Sequence, residues 1–250
     1  MQERLGDPSK SFLADFVQSS IFSRVMENIV VIPGDLHGGK FHTLACVYSL
    51  HYPAFLQPIQ AALGWKRING SDVAQTYQQC DQLAMLVLEE SERLLYDMFV
   101  NQMSPGTVVE LGLLSAVSDA FAERLCVLFE CFLEEKACSD NECTRFLVNF
   151  VVVTRLCRSM KTAIRSGDAI AIEALYVAFI PIWLACGKHK YFQLGLYLVD
   201  EYYNRIPYDV LQILRINRTM KLYDGTDQTD RSMANRELDS IIETFMYRYK

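Results

Sequence analysis

The stretch Ala169 to Gly187, AIAIEALYVAFIPIWLACG, is almost uninterrupted apolar sequence between Arg165 and Lys188, so folding must withdraw much of it from water. Its length is close to that of a membrane span. Glu173 and Pro181 lie in its interior, however, and no second hydrophobic segment of similar length accompanies it. Both features favour a buried central helix over a spanning one. A central helix needs a shell, and the rest of the chain supplies one.

That shell is legible as periodicity. Between Ser11 and Asn28, the residues Phe12, Phe16, Ile21, Val25 and Met26 recur at mostly helical spacing and predict a first amphipathic helix. Helical patterns follow over 41–50 and 54–63, each bounded or broken by proline or glycine, and Gly70-Ser71-Asp72 reads as a helix start. From Asp72 to Met103, the residues Val73, Tyr77, Leu83, Leu86, Val87, Leu94, Leu95 and Met98 mark a long helix, stopped by Ser104-Pro105-Gly106. Residues 108–136 are its expected antiparallel partner. Breaks at 138–142 and 166–168 frame a helix over 143–165. Further helices are predicted over 191–204, 208–222 and, beyond the loop at 223–227, over 230–249 as a closing helix.

One segment breaks the helical pattern. Ile29-Val30-Val31-Ile32 consists of four β-branched residues closed by Pro33-Gly34, the clearest strand signal in the chain. The expected class is therefore mainly α, a large helical domain with one buried β-strand near the N-terminus. Such a strand needs partners for its backbone groups, so either it pairs with a segment the pattern does not reveal or its flanking strands lie outside this chain. No linker divides the sequence, and a single domain over 1–250 is expected.

Composition narrows the function classes. With 51% hydrophobic and 22% charged residues the chain is globular, and its formal net charge of −6 provides no overall attraction to nucleic acid, so DNA contact would need a local patch. The eight cysteines, at 46, 80, 126, 131, 138, 143, 157 and 186, fall largely within helical runs, and the N-terminus shows no charged-then-apolar leader. Free thiols in a reducing compartment, nucleus or cytoplasm, are expected. Cys126-x4-Cys131 and Cys138-x4-Cys143 lack the tight spacing of zinc knuckles, and packing in the core is the expected role.

Two local patterns carry chemistry. The strand delivers Gly34-Asp35-Leu36-His37-Gly38, in which Asp35 and His37 are of the types that ligate a metal pair. This order resembles the first metal-binding signature of calcineurin-like metallophosphoesterases. Beyond it only His42, His51 and His189 remain, and the later motifs of that family are missing. The structural alternative for Asp35 is a turn residue capping the loop after the strand. Arg155, Arg158, Lys161 and Arg165 fall on one helix face and could track a phosphate backbone; the alternative is a solvated helix face.

The whole chain offers a broader match. Ile32-Pro-Gly-Asp35-x-His37, a long helical middle, Arg165-Ser-Gly-Asp168, Gly187-Lys-His-Lys-Tyr191, Asn217-Arg218, Asp230 and Glu237 resemble, in that order, domain of unknown function 6589, clearest over 29–250. The resemblance implies a transposon-derived protein whose layout is similar to ribonuclease H-like transposases, with the strand as a remnant of that sheet. It implies Asp35 and Glu237 as catalytic carboxylates, holding Mg²⁺ or Mn²⁺ together with His37 if the site is real and no cofactor otherwise. Only 28 residues precede Ile29, where such folds carry an earlier catalytic strand, so an inactive remnant is expected. Its expected partner is DNA or another protein. A helical protein–protein interaction module is the alternative, and a metal-dependent phosphoesterase or nuclease a distant one.

Overall fold

The computed structural model describes residues 34–114, 118–220 and 236–237. The chain divides into two units, Met1–Pro33 and Gly34–Lys250, and the second carries all the described residues. The predicted helix over 11–28 and the strand at 29–32 lie outside them.

The second unit is mainly helical. Asp35–Phe41 forms a wide, π-type helical turn that runs into α1 (His42–His51); a second π turn, Tyr52–Leu56, leads to the short α2 (Gln57–Ala62). The long α3 (Tyr77–Gln102) is followed by α4 (Pro105–Leu114) and α5 (Ser118–Ala137), then α6 (Glu142–Ser166), α7 (Ala169–Ala185) and α8 (His189–Asp200). A third π turn, Glu201–Arg205, precedes α9 (Tyr208–Asn217). Thr219–Met220 (β1) and Arg236–Glu237 (β2) pair antiparallel, Thr219 opposite Glu237.

Three expectations change. The partner predicted over 108–136 is two elements, α4 and α5. The helix predicted over 208–222 stops at Asn217, and Thr219–Met220 is extended. Within the predicted closing helix, Arg236–Glu237 is extended instead, because its backbone groups are satisfied across the ladder by Thr219–Met220.

The centre of the bundle is α6 rather than the apolar α7. Asn141 caps α6 by accepting a hydrogen bond from the Thr144 N–H at 3.1 Å, and Gly167, at φ 75°, ends it in the left-handed conformation that favours glycine. Between these ends α6 packs against α1, α3, α5, α7 and the first π turn. It buries Val148, Phe150, Val151, Val153, Thr154, Cys157, Met160, Ala163 and Ile164, which together cover more than one face.

Helix α7, capped by Asp168 on the Ala171 N–H at 2.9 Å, turns only one side inward: Ile172, Tyr176, Phe179 and Trp183 are buried. Its other side exposes Ile170 (63%), Val177 (42%) and Leu184 (48%). Ala174 and Pro181 are exposed on the same side. Among the described residues, no helix is long and apolar enough to cross a membrane.

Core aromatics organise the ends of the bundle. His51, buried at the end of α1, meets Phe146 and Phe150 edge-on at 4.9 and 5.4 Å. Burial pushes its pKa down to about 4, with the Asn149 side chain acting in the opposite direction. The depressed value makes stability pH-dependent in one direction. The contribution is complete above pH 6.5, where the unfolded imidazole is also neutral, and is lost as pH falls from 6.5 towards 4 because the unfolded state takes up the proton first. At pH 5 the loss from His51 should be about 2 kcal/mol, read as a lower urea midpoint than at pH 7, and His51→Leu should flatten that dependence. Equal pH sensitivity in His51→Leu and wild type would assign it elsewhere.

Candidate functional site

The first π turn is where distant parts of the sequence meet. Gly38 and Gly39 let it press close to its neighbours: a Cβ at Gly38 would lie 2.7 Å from the Tyr176 hydroxyl oxygen, and one at Gly39 would lie 3.4 Å from Met160. The turn therefore sits directly on α7 and α6. Asp35, its first residue, is 4% exposed.

Both carboxylate oxygens of Asp35 are occupied by Arg218. The guanidinium donates from Nε to Oδ2 and from Nη2 to Oδ1, each at 2.9 Å, a fork-to-fork pair between side chains only 4% and 3% exposed. Tyr176 adds a hydroxyl donor to Oδ1 at 3.0 Å, and its ring lies under the guanidinium with the centroid 5.2 Å away. Arg218 Nη1 donates to the Tyr202 hydroxyl at 3.1 Å. Burial works to lower the Arg218 pKa, but Asp35 outweighs it and holds the guanidinium more firmly protonated than usual. Burial also pushes the Tyr202 phenol up.

A second acid–base pair lies on the same helix. Glu173, the carboxylate embedded in the apolar run, accepts from Arg215 Nε at 3.0 and 3.1 Å and from Nη2 at 2.6 Å. Thus α7 carries its acid because α9 brings a matching cation. The space left among Glu173, Tyr176, Leu198, Tyr202 and Arg218 measures about 10 Å³, near the volume one water centre needs.

Two histidines follow Asp35 in the sequence, His37 within the π turn and His42 at the start of α1. His37 is exposed and meets Phe41 edge-on at 5.6 Å. His42 stacks on Tyr191 with ring centroids 3.9 Å apart, and burial, reinforced by Lys188 and His37, pushes its pKa down to about 4. Among the described residues, no group of three or more His, Cys, Asp or Glu side chains is placed to hold a metal ion. Glu237 enters through its backbone: its pairing with Thr219, the residue after Arg218, brings β2 to the end of the Asp35 lock. Asp35 does not act as a loop cap, because its carboxylate goes to Arg218 and Tyr176.

The basic stripe on α6 is a set of ion pairs. Arg155 Nε donates to Glu92 at 2.6 Å and its Nη1 to Glu130 at 2.9 Å; Arg158 binds Glu92 through two nitrogens at 2.8 Å; Lys161 meets Asp81 at 2.6 Å. Burial raises the Glu92 pKa, but the guanidiniums of Arg158 and Arg155 outweigh it and hold the carboxyl below its usual range. These contacts tie α6 to α3 and α5. Arg165 has no ion pair among the described residues and lines a groove of about 230 Å³ with Asp81, Met85, Glu89, Arg158, Lys161 and Thr162.

The cysteines divide. Cys46, Cys80 and Cys157 are buried as expected, whereas Cys126, Cys131, Cys138 and Cys143 are exposed rather than in the core. On α5 the inward positions belong to Phe129, Phe132 and Leu133, which leaves Cys126 and Cys131 facing out. All eight are free thiols.

Comparison of the chain with protein-family models, curated proteins and solved structures finds no match.

Proposed function

We propose that the chain is a transposon-derived helical domain without catalytic activity, in which the aspartate that would serve a metal-dependent phosphoryl transfer has become a structural anchor. The observation that carries this reading is the bidentate Asp35–Arg218 pair: a permanently charged guanidinium sits where a divalent cation would have to approach both oxygens. A metal there would displace Arg218 and leave its charge buried without a counter-ion. Further support comes from the sequence order that resembles domain of unknown function 6589. Asp35 bonds Arg218, Tyr191 stacks on the His42 that follows the turn, and Glu237 pairs beside Arg218, so several of its motifs meet at one place. Contact with DNA would fall to Arg165 and its groove, since Arg155, Arg158 and Lys161 are neutralised by their partners.

The test is thermal unfolding with and without millimolar Mg²⁺ or Mn²⁺, alongside a nuclease assay on DNA. A native site filled at 100 times its dissociation constant would add about 2.7 kcal/mol, a shift of roughly 5 to 10 °C for a chain of this size. The expected result is no shift and no cleavage; a metal-dependent shift abolished in Asp35→Ala would overturn the proposal.

A second reading, a protein–protein interaction module, is favoured by one observation. Ile170, Ala174, Val177, Pro181 and Leu184 are exposed on α7 at alternating spacings of four and three, the pattern by which one helix packs along another. On that reading Val177→Lys should abolish concentration-dependent association in sedimentation velocity without lowering Tm. Unchanged association would remove this support.

A further inference from the structure

The outward side of α7 is symmetric about its own middle. Ile170, Ala174, Val177, Pro181 and Leu184 are all exposed and lie within about 40° of one line along the helix, given 3.6 residues per turn. Ile170 and Leu184 stand seven residues either side of Val177, and the compact Ala174 and Pro181 stand three before it and four after. Laid antiparallel on a copy of itself about Val177, this helix sets Ile170 against Leu184, Ala174 against Pro181 and Val177 against its own counterpart. The bulky residues meet towards the ends, and the compact pairs on either side of the centre let the two backbones approach. Among the described residues nothing covers the strip.

Charge sets the direction of the pairing. Asp168, exposed, caps the N-terminal end of α7, and Lys188, half-buried, follows its C-terminal end. Parallel pairing would face each of them with its like and align the two helix dipoles side by side. Antiparallel pairing brings Asp168 of one copy to Lys188 of the other at both ends and opposes the dipoles. Arg165, the other charge near Asp168, lines the groove against α3 instead. Tyr203, also exposed, lines the same small cavity as Val177 and so adds an aromatic ring beside the axis, a residue type enriched at interfaces.

We propose that α7 is the interface of a twofold dimer, in which a second copy of this chain lays its own α7 antiparallel along the first with the axis at Val177. The assignment rests on the interaction-module reading and names the occupant of the strip. An interface of this kind uses the same patch on both copies and closes on itself, so association stops at two. The 17 residues of α7 span about 25 Å, which places the contact at the small end of specific interfaces. A dissociation constant on the order of 10 µM is expected.

The experiment uses the full chain. Sedimentation velocity between about 1 and 300 µM should show monomer giving way to dimer, and Val177→Lys, at an exposed position, should stay monomeric over that range with an unchanged Tm. Cross-linking then fixes the geometry, in a chain whose exposed Cys126, Cys131, Cys138 and Cys143 are changed to serine and which by itself supplies the background. Under mild copper–phenanthroline oxidation Val177→Cys should cross-link to its own counterpart. Ile170→Cys and Leu184→Cys should each cross-link roughly tenfold more slowly alone, being about 21 Å from their counterparts, and rapidly when the two are mixed. A wild type that remains monomeric throughout overturns the dimer and leaves the interaction-module reading its exposed strip. A dimer that Val177→Lys dissociates but Val177→Cys does not cross-link overturns the twofold arrangement alone. Equal self-cross-linking of all three single variants marks a parallel pair and overturns it as well. A dimer that Val177→Lys leaves intact overturns the proposal and removes the support for that reading together.

Discussion

Arg218→Met is expected to destabilise the domain by about 3 to 5 kcal/mol, because it leaves the Asp35 carboxylate buried with only the Tyr176 hydroxyl to donate to it. Asp35→Asn should cost less. The guanidinium left behind keeps the Tyr202 hydroxyl and the face of Tyr176, and asparagine can still accept from the Tyr176 hydroxyl. The double variant should be at least as stable as Arg218→Met, since removing both charges removes the uncompensated one. Urea unfolding of the four proteins measures the coupling. A single-variant loss below about 1 kcal/mol, the range of surface pairs, would mean that the pair is solvated and does not anchor the turn.

Trp183→Ala should be of similar size, about 3 to 5 kcal/mol. The indole is fully buried on α7 and touches Tyr176, Phe179 and Tyr191 at ring-centroid distances of 5.6, 5.8 and 6.0 Å, so it supports both the Asp35 lock and the His42 stack. Among the described residues its Nε1 has no hydrogen-bond acceptor. Trp183→Phe therefore removes volume but no bond, and should cost less than about 1.5 kcal/mol. Thermal unfolding separates the two, at roughly 2 to 4 °C per kcal/mol for a chain of this size. Equal losses in the two variants would show that the indole is held by its N–H rather than by packing.

What could be read in advance follows from the range of each signal. Helix positions were legible because their causes are local: Asn141 and Asp168 stand as caps and Gly167 ends α6, whereas the stripe predicted from Asp72 holds only in part, since α3 begins at Tyr77 and buries Leu83, Val87 and Leu95 but leaves Leu86 and Leu94 exposed. The identity of the central helix was not. Hydrophobicity pointed to α7, yet α6, with Arg155, Arg158 and Lys161 along it, holds the middle because Glu92, Glu130 and Asp81 on other helices neutralise those charges. A sequence displays a charge but not the partner that cancels it. The same limit applies to Asp35. Its setting in Gly34-Asp35-Leu36-His37-Gly38 was visible, and Arg218 was noted as a motif position, but nothing in either segment says that they bond. Tyr176 and Tyr202, which complete the cluster, carried no signal at all beyond being aromatic residues in helical runs.

The lock joins residues 183 positions apart, and that separation bears on how the molecule assembles. A contact that closes so long a loop is entropically among the last to form. Helix pairs close in sequence, such as α6 with α7 and α7 with α8, can form from local collapse. The π turn gains its counter-charge only when the end of α9 arrives. On a ribosome, Asp35 emerges long before Arg218 has been made, so its carboxylate stays hydrated through most of synthesis and is desolvated in the closing step. Variants of Arg218 should accordingly speed unfolding while leaving the folding rate nearly unchanged, the signature of an interaction made after the transition state.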